Sequence, residues 1–148
     1  EQISDIFLVT AENEKEHAKL FYKQIPDSKH FQVNGTYPFS YGDTYSNLIA
    51  AASGEREEWE ILYKEAAQIA KDEISRLFAN IVEIEKRHSH RFETLAGLLK
   101  EGALFKKEEV TQWVCRKCGH TQIGKEAPCK CPVCDHPQGY FELFVEKF

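Results

Sequence analysis

The sequence contains no methionine, and residue 1 is Glu. A chain that starts at its own translation start begins with Met, so residues upstream of Glu1 are expected. Long apolar runs are missing too. The longest, Leu48 to Ala52, covers five residues, whereas a membrane-spanning helix needs about 20. No apolar stretch of the signal-peptide kind stands near the N-terminus. Basic excess is also lacking: Lys and Arg number 19 against 24 Asp and Glu, a formal net charge of −5. That sign argues against nucleic acid as the main partner. What is present is globular composition, 42% hydrophobic and 29% charged over 148 residues. This suits one domain, or one domain with a small module.

Cysteine is the first positive signal. There are five, an uneven number for a disulfide framework. Four fall in two pairs, Cys115-x-x-Cys118-Gly119 and Cys131-Pro132-x-Cys134, with Cys129 left over. Without an export signal, such pairs read as metal binding rather than disulfides. Each pair aims two sulfurs at one ion, and four thiolates suit zinc or a single iron. Spacing alone does not choose between a structural zinc ribbon and a one-electron iron carrier. Trp113, Tyr140 and Phe141 are expected to pack around the site, and Cys129 to stand outside it. Composition shifts at the same place: residues 1–111 carry a net charge of −6 and residues 112–148 of +1. Two domains are expected, 1–111 and 112–148.

The first part is helical in pattern. Ile3, Ile6, Phe7, Thr10, Glu14, His17 and Phe21 recur at steps of three and four, one helix face, and Pro26 stops that helix. Asp27 to Gly42 reads as a long connection. Asp43 or Thr44 is expected to cap a second helical stretch. That stretch runs to about Lys100 without a proline, too long for one globular helix, so a reversal is expected inside it.

At an offset of 71 residues the chain repeats: Ile3/Ile74, Ser4/Ser75, Phe7/Phe78, Glu14/Glu85, Lys15/Lys86, His17/His88 and Phe21/Phe92 are identical pairs. The matches include two Glu-x-x-His units, Glu14/His17 and Glu85/His88. At that spacing carboxylate and imidazole share a helix face and can reach one metal. Glu55 and Glu58 offer the same spacing. Glu58 and Glu85, like Glu55 and His88, lie symmetrically about a point between Lys71 and Asp72. A reversal there brings all four together, with Asp72 available as a cap. Four carboxylates and two imidazoles suit a pair of iron or manganese ions, the donor pattern of ferritin-like carboxylate bundles. Glu57 and Glu60 read as solvated.

These motifs together resemble the rubrerythrin family, in which a ferritin-like diiron bundle is fused to a C-terminal rubredoxin-like iron module. The resemblance covers essentially the whole chain and is strongest at Glu12–Lys19 (ENEKEHAK), Gly54–Trp59 (GEREEW), Glu85–His88 (EKRH) and Trp113–Leu143. It implies a mainly α fold: a ferritin-like four-helix-bundle domain followed by a small, metal-bound rubredoxin-like β module. It implies that Glu14, His17, Glu55, Glu58, Glu85 and His88 are diiron ligands, that Tyr63 lies beside them, and that Cys115, Cys118, Cys131 and Cys134 hold a rubredoxin-type iron, replaceable by zinc. The implied activity is reduction of hydrogen peroxide to water in oxidative-stress defence. Electrons would come from NAD(P)H through a rubredoxin or a reductase and the four-cysteine iron. A cytoplasmic homodimer is also implied, with exchange of helices between subunits left open.

Two departures from the family pattern stand out. The counterpart of Glu55 one repeat earlier falls upstream of residue 1, so the first bundle helix, with a Glu ligand, is expected to be absent from this chain. The segment Lys71-Asp72-Glu73-Ile74 also lacks the expected glycine. A tight turn, missing loop residues and a straight helix are all open; a straight helix would put Glu58 and Glu85 ~40 Å apart. Two other function classes remain: iron oxidation or storage by the bundle, and a non-enzymatic binding module carrying a zinc ribbon.

Overall fold

The computed structural model describes residues 1–25, 34–35 and 41–146. Among these residues four helices come first: α1 (Gln2–Tyr22), α2 (Thr44–Glu57), α3 (Tyr63–Ile69) and α4 (Asp72–Lys100). A π-helical turn, Glu58–Leu62, joins α2 to α3 without a break. Three strands follow, β1 (Lys106–Cys115), β2 (Thr121–Glu126) and β3 (Phe141–Leu143). This is the mainly helical bundle with a small strand module that the family resemblance implies. Among the described residues, no helix is long and apolar enough to cross a membrane. The connection read between Asp27 and Gly42 lies largely outside the described residues.

The chain divides into two compact units, Thr10–Ala96 and a second one made of Gly97–Phe148 with Glu1–Val9. In the helical unit the apolar stripe of α4 supplies most of the core. Ile81, Val82, Phe92, Leu95 and Ala96 are buried there, together with Leu48 and Ala52 of α2. Three hydrogen bonds tie the helices across this core. Arg91 Nη2 donates to Thr10 Oγ1 (2.5 Å), Ser89 Oγ to the Ala52 carbonyl (3.1 Å) and Ser75 Oγ to the Ala67 carbonyl (2.7 Å).

Local sequence sets the helix ends. Asp43 caps α2, its Oδ1 accepting the Ser46 N–H at 2.7 Å. That side-chain acceptor satisfies one of the free donors at a helix start. The backbone N–H of Ser46 also holds the Asp43 carboxyl below its usual range. α1 ends at Tyr22, just short of Pro26.

The junction that sequence left open is a tight reversal. α3 ends at Ile69 and α4 begins at Asp72. The Lys71 carbonyl closes the first turn of α4, accepting from Ile74 (3.1 Å) and Ser75 (3.4 Å). Asp72 therefore does more through its backbone than as a cap: its φ is +49°. Left-handed backbone costs an ordinary residue about 1–2 kcal/mol, and Asp is one of the few side chains that tolerate it. A glycine is thus not needed to turn the chain.

The second unit is built on a sheet of order β2-β1-β3, antiparallel throughout. Trp113, Cys115, Ala127, Cys131 and Phe141 form its core, with Phe105, Cys134 and Tyr140 packed against them. Arg116 ties β1 to the chain ends of this unit, pairing with Asp5 and, at 3.3 Å, with Glu142.

The turn at Asp72 can be tested by thermal unfolding of the metal-loaded protein. Asp72→Val puts a β-branched residue in the left-handed region, and should destabilise the helical unit by about 1–2 kcal/mol. Asp72→Gly should be neutral or mildly stabilising.

Candidate metal centres

In the helical unit α1 presents Glu14 and His17, α2 presents Glu55, the π turn Glu58, and α4 presents Glu85 and His88. Carboxylate oxygens of Glu14, Glu55 and Glu85 and a ring nitrogen of His88 all lie within 4.8 Å of one another. His88 Nδ1 is 2.9 Å from Glu85 Oε2, 3.2 Å from Glu55 Oε2 and 3.3 Å from Glu14 Oε1. His17 sits at the edge of this group, its Nδ1 2.9 Å from Glu85 Oε1 and 3.1 Å from Glu14 Oε2. The two imidazoles stack with centroids 6.2 Å apart. Glu57 and Glu60 are exposed.

The electrostatics of this cluster are unfavourable without a cation. Glu85 is 0% exposed, and neither of its carboxylate oxygens receives a directed hydrogen bond. Glu14 Oε1 is likewise buried without one. Burial raises the Glu58 carboxyl to about 7, reinforced by the like charges of Glu14, Glu85 and Glu55. Burial also raises Glu55, against the hydrogen bond from His88. Burial works against a charged His88, but the facing carboxylates of Glu14, Glu55 and Glu85 outweigh it and push the imidazole up to about 11. Buried carboxylates without directed donors are costly, and divalent cations remove that cost. The donor set therefore fits a carboxylate-bridged metal pair.

The π turn brings in Tyr63. The Tyr63 N–H bonds the Glu58 carbonyl, five residues back, so Tyr63 stacks beneath Glu58 where an α-helix would rotate it away. Its hydroxyl donates to the Glu58 carboxylate. Such turns recur at functional sites because they re-aim one side chain. Below the site Tyr63, Phe21 and Phe78 form an aromatic layer, with Phe21 and Phe78 stacked at 4.8 Å. Neither the π turn nor this layer has a sequence signal. The same is true of Asn13, whose Oδ1 lies 3.3 Å from His88 Nε2.

In the strand unit the sulfurs of Cys115, Cys118, Cys131 and Cys134 lie within 4.8 Å of one another. Cys115 and Cys134 Sγ are 3.7 Å apart, as are Cys118 and Cys131 Sγ. That is too long for a disulfide. It is close to the roughly 3.8 Å edge of a tetrahedron of thiolates about 2.3 Å from one ion. The two loops are alike: Cys115 N–H bonds the His120 carbonyl and Cys131 N–H the His136 carbonyl, both at 2.8 Å. Each turns at a positive φ, +79° at Gly119 and +62° at Asp135. The sequence carried a signal for this, since His and a turn residue follow each Cys-x-x-Cys at equal distance. Burial raises the Cys131 thiol, but backbone N–H groups of Cys134 and Val133 overcome it and hold the thiol down at about 6. Cys129 is exposed and outside the cluster.

Fold and sites together define a class: a ferritin-like carboxylate bundle joined to a rubredoxin-like module with a four-cysteine site. Comparison with known proteins agrees. A family model described as Rubrerythrin matches residues 1–96, and one described as Rubrerythrin, rubredoxin-like domain matches residues 113–142. Rubrerythrin-1 of Clostridium acetobutylicum is 46% identical over 155 aligned positions, covering 99% of this chain and 80% of that protein. Rubrerythrin of Nitratidesulfovibrio vulgaris is 42% identical, covering 96% and 76%. Nigerythrin in a mixed-valence state is similar in structure, with a TM-score of 0.56 at 25% identity, covering 97% of this chain and 70% of that one. The chain belongs to the rubrerythrin family. Its cofactors are those of that family, a diiron centre at the Glu/His cluster and a rubredoxin-like iron at the four cysteines. Membership implies an oxidoreductase of peroxidase type acting in oxidative stress.

Protons and metal compete for the carboxylate cluster. Metal uptake at neutral pH must displace protons from His88 and Glu58. Ferrous affinity of the metal-free bundle should therefore fall throughout the neutral range as pH drops, by about a hundredfold or more between pH 8 and pH 6, with Glu58 adding to the His88 effect below about 7. Anaerobic titration with a pH indicator checks both the affinity and the proton release.

Proposed function

We propose that the protein reduces hydrogen peroxide to water, H2O2 + 2e− + 2H+ giving 2 H2O, with electrons originating from NAD(P)H. The carrying observation is the pairing, in one chain, of a separate four-thiolate site with a Glu/His cluster whose buried Glu85 carboxylate has no directed hydrogen bond. In this reading Glu14, His17, Glu55, Glu58, Glu85 and His88 hold the two irons, and Cys115, Cys118, Cys131 and Cys134 hold the third. When bound, an iron pair there would supply the two electrons that O–O cleavage requires, and a four-cysteine iron would supply one-electron transfer.

The residues themselves do the positioning. Glu85, fully buried, fixes one face of the site from α4 while Glu14 faces it from α1. Tyr63 donates to the Glu58 carboxylate and holds its orientation. Burial and the surrounding carboxylates, Glu58 first, keep the Tyr63 hydroxyl protonated well above its usual range, so it remains a donor rather than a phenolate. The aromatic layer of Phe21 and Phe78 limits water on that side.

A rubredoxin or an NAD(P)H-dependent reductase is the proposed electron donor, and the cytoplasm the proposed location. We assign a homodimer. Ile49, Ile61, Leu62 and Ile69 are exposed on α2, the π turn and α3, and such apolar surface favours association. Iron storage is the weaker reading, because it gives the thiolate site no task.

Protein reduced anaerobically should be reoxidised by about one peroxide per iron pair. Irons that stay reduced after peroxide is added would overturn the proposal. The four-cysteine iron should give a red visible absorption that Cys131→Ser abolishes while the bundle keeps its metal.

A further inference from the structure

We infer that Asn13 is a positioning residue for the metal centre: its side-chain oxygen holds His88 in the one tautomer that leaves Nδ1 free for a metal ion. The inference rests on reading the Glu/His cluster as the diiron site and deepens that reading.

His88 is 4% exposed and comes from α4. Its Nδ1 points at Glu14, Glu55 and Glu85, all within 3.3 Å. Its other ring nitrogen, Nε2, points at Asn13 Oδ1 on α1 at 3.3 Å. An amide oxygen can only accept, so in that pair Nε2 carries the proton and donates it. In a neutral imidazole the lone pair is then at Nδ1, facing the carboxylates. A histidine ligand usually has its second nitrogen tethered in this way, which sets both tautomer and ring orientation.

The tether also crosses between helices. Asn13 adjoins Glu14, so one turn of α1 contributes a carboxylate to the cluster and an acceptor to the imidazole from α4. One turn away, Arg91 binds Thr10 across the same two helices. The repeat marks Asn13 as particular to one side of the site. Its counterpart 71 residues on is Ile84, which offers no acceptor to His17. The acceptor is moreover neutral, so it orients the ring without adding to a carboxylate-rich site.

The test is anaerobic ferrous titration of the full chain with its four-cysteine site already filled, comparing wild type, Asn13→Leu and Asn13→Asp. Asn13 is exposed, so both variants should fold, as far-UV circular dichroism checks; Asn13→Ala replaces the Leu variant if it does not. Asn13→Leu should lose 10- to 100-fold in affinity for one ferrous ion, the usual effect of removing a ligand's tether. Asn13→Asp keeps an acceptor and should stay within about threefold of wild type. A Leu variant that binds as tightly as wild type overturns the inference, and so does an Asp variant as weak as the Leu variant. A second readout is independent of stability. In the zinc-loaded, diamagnetic protein, long-range 1H–15N spectra should show His88 protonated at Nε2; protonation at Nδ1 overturns the inference. If wild type takes up no iron beyond the four-cysteine site, the metal-site reading itself fails, whatever the variants do.

Discussion

Burying several carboxylates at one level of a helical unit sets the terms for everything around them. Glu85 has no exposed surface and no directed donor for either oxygen, Glu14, Glu55 and His88 converge on the same point, and Glu58 feels the charge of the three other carboxylates. Glu85 and His88 are shielded from water and the like charges repel, so protons fill in when metal is absent. That is why the Glu58 carboxyl rises to about 7 and His88 to about 11. The same repulsion is what gives the site its affinity for small, highly charged cations. The other local features serve it. The Asp72 turn sets the hairpin register, the π turn brings Tyr63 under Glu58, and Asn13 meets the far side of His88.

The strand unit solves a different problem with different ligands. Its buried core of five residues includes two of the cysteines themselves, so too little apolar surface is available to hold the loops without an ion. Thiolates suit that task, since one tetrahedral ion satisfies four of them and closes both loops. Carboxylates and imidazoles in the bundle instead suit harder ions that change coordination. One chain thus carries a rigid one-electron site and a more adaptable two-ion site, a division that matches peroxidase-type chemistry in the rubrerythrin family.

Much of this was legible in the sequence because ligands at fixed spacing on regular elements need no tertiary knowledge. Glu14/His17 and Glu85/His88 share helix faces by periodicity alone. Glu55 and Glu58 could be placed opposite them by symmetry about the Lys71/Asp72 junction, and the structure reverses there. The four cysteines announced themselves by pairing. What stayed hidden depended on backbone departures from the regular periods. No residue pattern marks the π turn at Glu58–Leu62. The Lys71–Asp72 turn was ambiguous because its left-handed residue is Asp, not Gly. Asn13 looked like any polar helix residue, since its partner lies 75 positions away.

The sequence by itself therefore determined the class of metal chemistry, the candidate donor residues and the family, because those follow from residue types and intervals along helices and loops. Only the tertiary structure decided how the donors meet. It chose a tight hairpin over a straight helix, set His17 at the edge of the cluster and His88 at its centre, and gave His88 the acceptor Asn13, whose repeat counterpart is Ile84. Those choices turn on packing between helices and on single backbone angles, where differences of about 1–2 kcal/mol select one arrangement and leave no trace in a local pattern.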